Sequence, residues 1–109
     1  MDAGDVIATD VNSAVTLECR LTKTSIIRWR YHSLLSEKYT LVHTGEALTS
    51  RYNSTGRFSV SCTSYRTPAT CSLTIQPVHF HDGGDYQCFL TSNLQTRQNF
   101  QLIVIGTYV

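Results

Sequence analysis

Long apolar runs are missing from this chain. Nothing approaches the roughly 18 to 20 consecutive apolar residues of a membrane-spanning helix, so these 109 residues are not expected to cross a bilayer. An excess of one charge is missing too. Net charge is +1 and charged residues make up 16%, so no global field draws the chain to nucleic acid or to an anionic membrane. Met1-Asp2-Ala3-Gly4-Asp5 has neither the basic start nor the apolar stretch of a secretory signal. No Gly-x-Ser-x-Gly, phosphate loop, dinucleotide fingerprint or His-Glu-x-x-His helix occurs, which argues against an enzyme and implies no cofactor. His79 and His81 flank Phe80 and could in principle join Cys62 and Cys71 around zinc. That spacing fits no closed zinc site, so no metal is expected, and the histidines read as surface residues.

What is present points to one small folded domain. Hydrophobic residues make up 41%, which is ordinary for a globular chain, and 109 residues leave no room for a second core. Four cysteines, an even count, suit an oxidising compartment and allow three pairings. Chain entropy does not choose among them. A bridge closing about 70 residues (Cys19 to Cys88) is worth about 4 kcal/mol, and one closing about 10 residues (Cys62 to Cys71) nearly 3.

Three marks fall in order: Cys19, Trp29, and the run Asp82-Gly83-Gly84-Asp85-Tyr86-Gln87-Cys88. Each supplies one part of a two-sheet β-sandwich core. The cysteines can pin the sheets together, the indole fills the space beside the bridge, and Tyr86 can turn its hydroxyl back onto the backbone. Strand periodicity agrees. Val15, Leu17, Cys19 and Leu21 share one parity; so do Ile27, Trp29 and Tyr31, then Tyr86, Cys88 and Leu90, then Phe100, Leu102 and Val104. A hairpin over residues 57 to 76 pairs Phe58 with Ile75, Val60 with Leu73 and Cys62 with Cys71 in a single antiparallel register. Cys62 and Cys71 are therefore expected to bridge within one sheet on its core face; the alternative is two buried free thiols.

On these residues the chain resembles a V-type domain of the immunoglobulin superfamily over essentially its whole length. The resemblance implies an all-β Greek-key sandwich of about nine strands, A, B, C, C′, C″, D, E, F and G. The interval between Trp29 and Cys88 exceeds what a seven-stranded constant-type sandwich needs. The surplus falls at Tyr39 to His43 and Ala47 to Ser50, the expected C′ and C″ strands. Arg57 and Asp82 sit where such domains place a salt bridge closing the bottom of the barrel. Rearranged antigen receptors open strand G with Phe-Gly-x-Gly, whereas Phe100-Gln101-Leu102-Ile103 has no glycine. This favours a non-rearranging immune-type receptor or an adhesion domain.

V-type domains pair or bind ligands through the outward face of strands G, F, C and C′. The resemblance thus implies a protein ligand or a homophilic partner, with a homodimer as one outcome. Arg28, Arg30 and His32 on strand C, Gln87 and Phe89 on strand F, and Arg97 on the F–G loop are the candidate partner-binding residues. Arginine and aromatic side chains concentrate interface energy, which supports this choice. The end loops 22–25, 44–46 and 91–99 leave an alternative, a soluble defence protein recognising microbial carbohydrate. A structural spacer is a third reading. Asn53-Ser54-Thr55 is the only glycosylation acceptor. The expected location is extracellular, with Met1 an expression start on a mature ectodomain fragment and residues 106–109 the start of a linker. No nucleic-acid or membrane contact is expected.

Overall fold

Apolar side chains at every second position are buried together only if the backbone is extended. The segment Val15–Leu21 obeys this rule: Val15, Leu17, Cys19 and Leu21 are buried, and the residues between them are exposed. In the computed structural model, which describes residues 4–21, 26–33, 35–36, 38–63 and 69–106, this segment is the second of eight strands. They are β1 Asp5–Asp10, β2 Val15–Leu21, β3 Ile27–His32, β4 Thr40–His43, β5 Phe58–Thr63, β6 Ala69–Ile75, β7 Gly84–Leu90 and β8 Arg97–Ile105. One sheet has the order β1-β8-β7-β3-β4 and the other β2-β6-β5. Neighbours are antiparallel except β1 and β8, which run parallel. The fold is an all-β two-sheet sandwich.

Between the sheets, Trp29 is fully buried and stacks on Phe100 with ring centroids 5.6 Å apart. Beside it the Cys19–Cys88 disulfide joins β2 to β7 across the core. Tyr86 donates its hydroxyl hydrogen to the Asp82 carbonyl at 2.7 Å, tying the start of β7 to the preceding 3-10 turn, Phe80–Asp82. Tyr31 makes a parallel tie to the Gly83 carbonyl at 2.6 Å. A Cβ at Gly84, where φ is +142°, would meet the His32 carbonyl and the Tyr31 ring at 2.9 Å, so only glycine lets β7 enter here. Arg57 grips Asp82 through both amino groups, at 2.6 and 3.1 Å, and both side chains are largely buried. The Pro77 carbonyl also accepts from Arg57, and Asp82 also accepts from the His79 amide. Those extra bonds satisfy a charge pair that would otherwise be costly to bury.

Three expectations need correction. The segment 47–50 forms no C″ strand: it makes a single bridge, His43 to Leu48, and then turns into the one-turn helix α1, Ser50–Asn53. The Thr49 hydroxyl donates to the Leu41 carbonyl and the Thr49 amide to that of Val42, so threonine ends the pairing and leads into the helix. Strand β5 takes the expected register, and Cys62 is joined to Cys71. Cys62 is nevertheless exposed while Cys71 is fully buried, because β5 is an edge strand whose burial fades after Val60. Arg97 is not in a loop. It opens β8, and the F–G connection shortens to Thr91–Thr96, closed by a bond from the Leu90 amide to the Thr96 carbonyl. The B–C loop, residues 22–25, lies outside the described residues.

Candidate binding face

The outward side of β3, β7 and β8 carries three rungs set by strand register. Arg28, Phe89 and Arg97 form the first, Arg30, Gln87 and Asn99 the second, and His32, Asp85 and Gln101 the third. The same alternation that sends Trp29 and Cys88 inward sends these side chains to the other surface. All six expected partner-binding residues therefore share one face.

The middle rung is bonded end to end. Arg30 donates from Nε to Gln87 Oε1 at 2.6 Å, and Gln87 Nε2 donates to Asn99 Oδ1 at 2.5 Å. The Arg30 guanidinium also lies 4.1 Å from the Tyr39 ring centroid and 4.8 Å from that of Phe89. Each such contact is worth roughly 0.5 to 2 kcal/mol, more as water is excluded. In the third rung His32 Nδ1 stands 3.7 Å from Asp85, and the His32 ring packs on Tyr39. A hollow of about 350 Å³ opens beside the network, lined by Tyr39, Asp85, Gln87, Arg97, Asn99 and Gln101.

Burial divides the candidates. Gln87 and Phe89 point outward yet are only 5% and 7% exposed, because Arg30 and its neighbours cover them. They form the floor. Arg28 and Arg97 are exposed and Arg30 is partly so, which leaves the arginines and the half-exposed Tyr39 as the outer layer. Phe89, expected as a partner-binding residue of this face, thus lies beneath its surface rather than on it. Tyr39 and Asn99 were not among the sequence candidates. Asn99 carried a usable signal, its outward parity on β8, whereas Tyr39 precedes β4 and reaches the site only through the packing of the sheet.

None of the three arginines pairs with a carboxylate among the described residues. No cluster of three or more potential metal ligands occurs among those residues either. This surface presents aromatic, amide and guanidinium groups side by side.

The described sandwich matches the immunoglobulin V-set domain family over residues 5–105. The chain belongs to that family. No curated protein matches it in sequence. Among solved structures, the V-set domain is similar to the second immunoglobulin domain of the mouse polymeric immunoglobulin receptor. The TM-score is 0.75 at 20% identity, covering 95% of this chain and 98% of that one. It is also similar to the first immunoglobulin domain of ZIG-8, solved as a homodimer. There the TM-score is 0.73 at 17% identity, covering 98% of this chain and 84% of that one. At these identities the likeness establishes the sandwich and nothing finer.

Proposed function

We propose that this V-set domain is an extracellular recognition module that binds a protein partner, or a second copy of itself, through the outward face of β3, β4, β7 and β8. One observation carries the reading: a guanidinium held against two aromatic rings and braced by two buried or half-buried amides, at the centre of a face whose other arginines meet no carboxylate among the described residues. Fixing such a group before contact removes part of the ordering cost of association. That the ZIG-8 domain is a homodimer supports self-pairing as one form of this activity. A single sheet face buries an area near the low end of the standard interface, about 1,200 Å² in total, so affinity should be modest.

Sedimentation velocity across concentration, with capture against a library of cell-surface ectodomains, tests the reading. Arg28→Ala combined with Arg97→Ala and Tyr39→Ala should weaken whichever association is found at least about tenfold, or 1.4 kcal/mol. Thr16→Ala, on the exposed side of the opposite sheet, should leave it unchanged. Equal loss in both variants would remove this face from the account. Phe89 is unsuitable for the test, because truncating so buried a ring also destabilises the fold.

We also infer that Asn53 accepts a glycan. It is exposed at the end of α1, on the connection between β4 and β5. Secretion from a eukaryotic host should give a glycoform mass that Asn53→Gln abolishes; a bare wild-type mass would refute it.

A further inference from the structure

We propose that the arginine rungs are a carboxylate-binding surface, on which Arg30 grips an aspartate or glutamate side chain of a protein partner, flanked by Arg28 and Arg97. This rests on the proposed recognition role of the face and names the chemistry of what docks there.

The argument begins with the donors Arg30 has left. Its Nε is engaged by Gln87, and the Tyr39 and Phe89 rings lie against its guanidinium. No hydrogen bond occupies its two Nη groups among the described residues. A guanidinium so placed offers the end-on fork that matches a planar carboxylate with two parallel N–H···O bonds. Its position is set by a chain of bonds across the strands, since Asn99 holds Gln87 and Gln87 holds Arg30.

The charge around it is one-sided. Arg28 and Arg97 stand on the neighbouring rung, on either side of Phe89, and both are exposed without a carboxylate partner among the described residues. Asp85, the acid of the three rungs, is two residues along β7 from Gln87 and stands by His32. The three rungs are thus positive toward the F–G turn and carry one acid toward the other end, although the chain as a whole carries only +1. Three cations fall short of the roughly 6 to 10 phosphate contacts typical of salt-driven nucleic-acid binding. A local match to one acidic segment fits that count better than a long polyanion. Asn99 and Gln101 beside the hollow supply amides for the partner's backbone.

The test uses hexaglutamate as the probe, with hexalysine and a heparin hexasaccharide for comparison, followed through backbone amide and arginine Nε–H resonances of the isotopically labelled chain. Hexaglutamate should shift the resonances of Arg28, Arg30, Gln87, Arg97 and Asn99, and raising salt from about 50 to about 300 mM should weaken it several-fold. Arg30→Lys keeps the charge and loses the fork, so it should weaken hexaglutamate at least about tenfold. Arg97→Gln, at an exposed position, should weaken it by a smaller factor and serves if Arg30→Lys fails to fold. An Arg30→Lys chain that folds and binds hexaglutamate as tightly as the original would overturn the proposal. So would heparin binding the same residues more tightly, or hexaglutamate shifting none of them. Any of these results, alongside loss of partner association in the Arg28, Tyr39 and Arg97 triple variant, would leave the recognition face standing and remove only its carboxylate chemistry.

Discussion

Single residues show how far side-chain direction can be read from alternation and where it stops. Parity along β7 assigned Gln87 and Phe89 to the outward side, and they do point there. Their burial depends on Arg30 and Tyr39, which arrive from β3 and from the residue before β4; no pattern local to β7 records that. Tyr86 was fully legible, because its place two residues before Cys88 fixes both its parity and its reach. Burial, and then the nearby Asp82 charge, push its hydroxyl well above the ordinary range, so it remains a donor at any physiological pH. Tyr86→Phe leaves the Asp82 carbonyl without this buried donor and should lower unfolding free energy by about 1 to 2 kcal/mol. For a domain of this size that is a melting temperature lower by roughly 4 to 8 °C per kcal/mol, measurable by calorimetry. An unchanged transition would show that the tie adds nothing.

Among elements, β4 and the turn after it depart most from expectation. The residues of the expected C″ strand are individually compatible with extended structure. What prevails is local hydrogen bonding: Thr44 and Ala47 close the turn on each other, and Thr49 hands the chain into α1. Competition of this kind between side-chain bonds and sheet pairing is weakly marked in a sequence. His43, at the end of β4, is buried, and its Nδ1 accepts from the Gly45 amide at 3.0 Å, which requires an unprotonated ring. Burial lowers its pKa below the ordinary 6.5. The unfolded chain takes up a proton near that value while the folded chain resists, so stability should fall as pH drops below about 6.5. Urea unfolding of His43→Gln beside the original chain should show a shallower loss between about pH 7 and 5. Parallel slopes would assign the dependence to other groups.

For the whole molecule, the clearest asymmetry lies in the two disulfides. Cys71 stands opposite Cys19 on β2 and opposite Cys62 on β5, so three cysteines form one row across the smaller sheet. The sequence register placed Cys62 correctly, but exposure depends on how far the opposing sheet covers an edge strand, which is a property of the assembled sandwich. Cys19 and Cys88 are fully buried, whereas Cys62 is open to solvent. Access governs attack by an external thiol. Mild native-state reduction followed by alkylation should therefore label Cys62 and Cys71 well before Cys19 and Cys88, as read by peptide mass. Simultaneous labelling of all four would mean that the sandwich opens as a unit. The parallel pairing of β1 with β8 has a practical corollary for anyone handling the protein. Gly4 abuts Asn99 so closely that a side chain there would strike its backbone, while Gly106 leaves from the far pole beside Val11 and Phe80. A dye, affinity handle or surface tether attached ahead of residue 4 would crowd the arginine face. The same attachment after residue 106 would keep that face clear for a visitor.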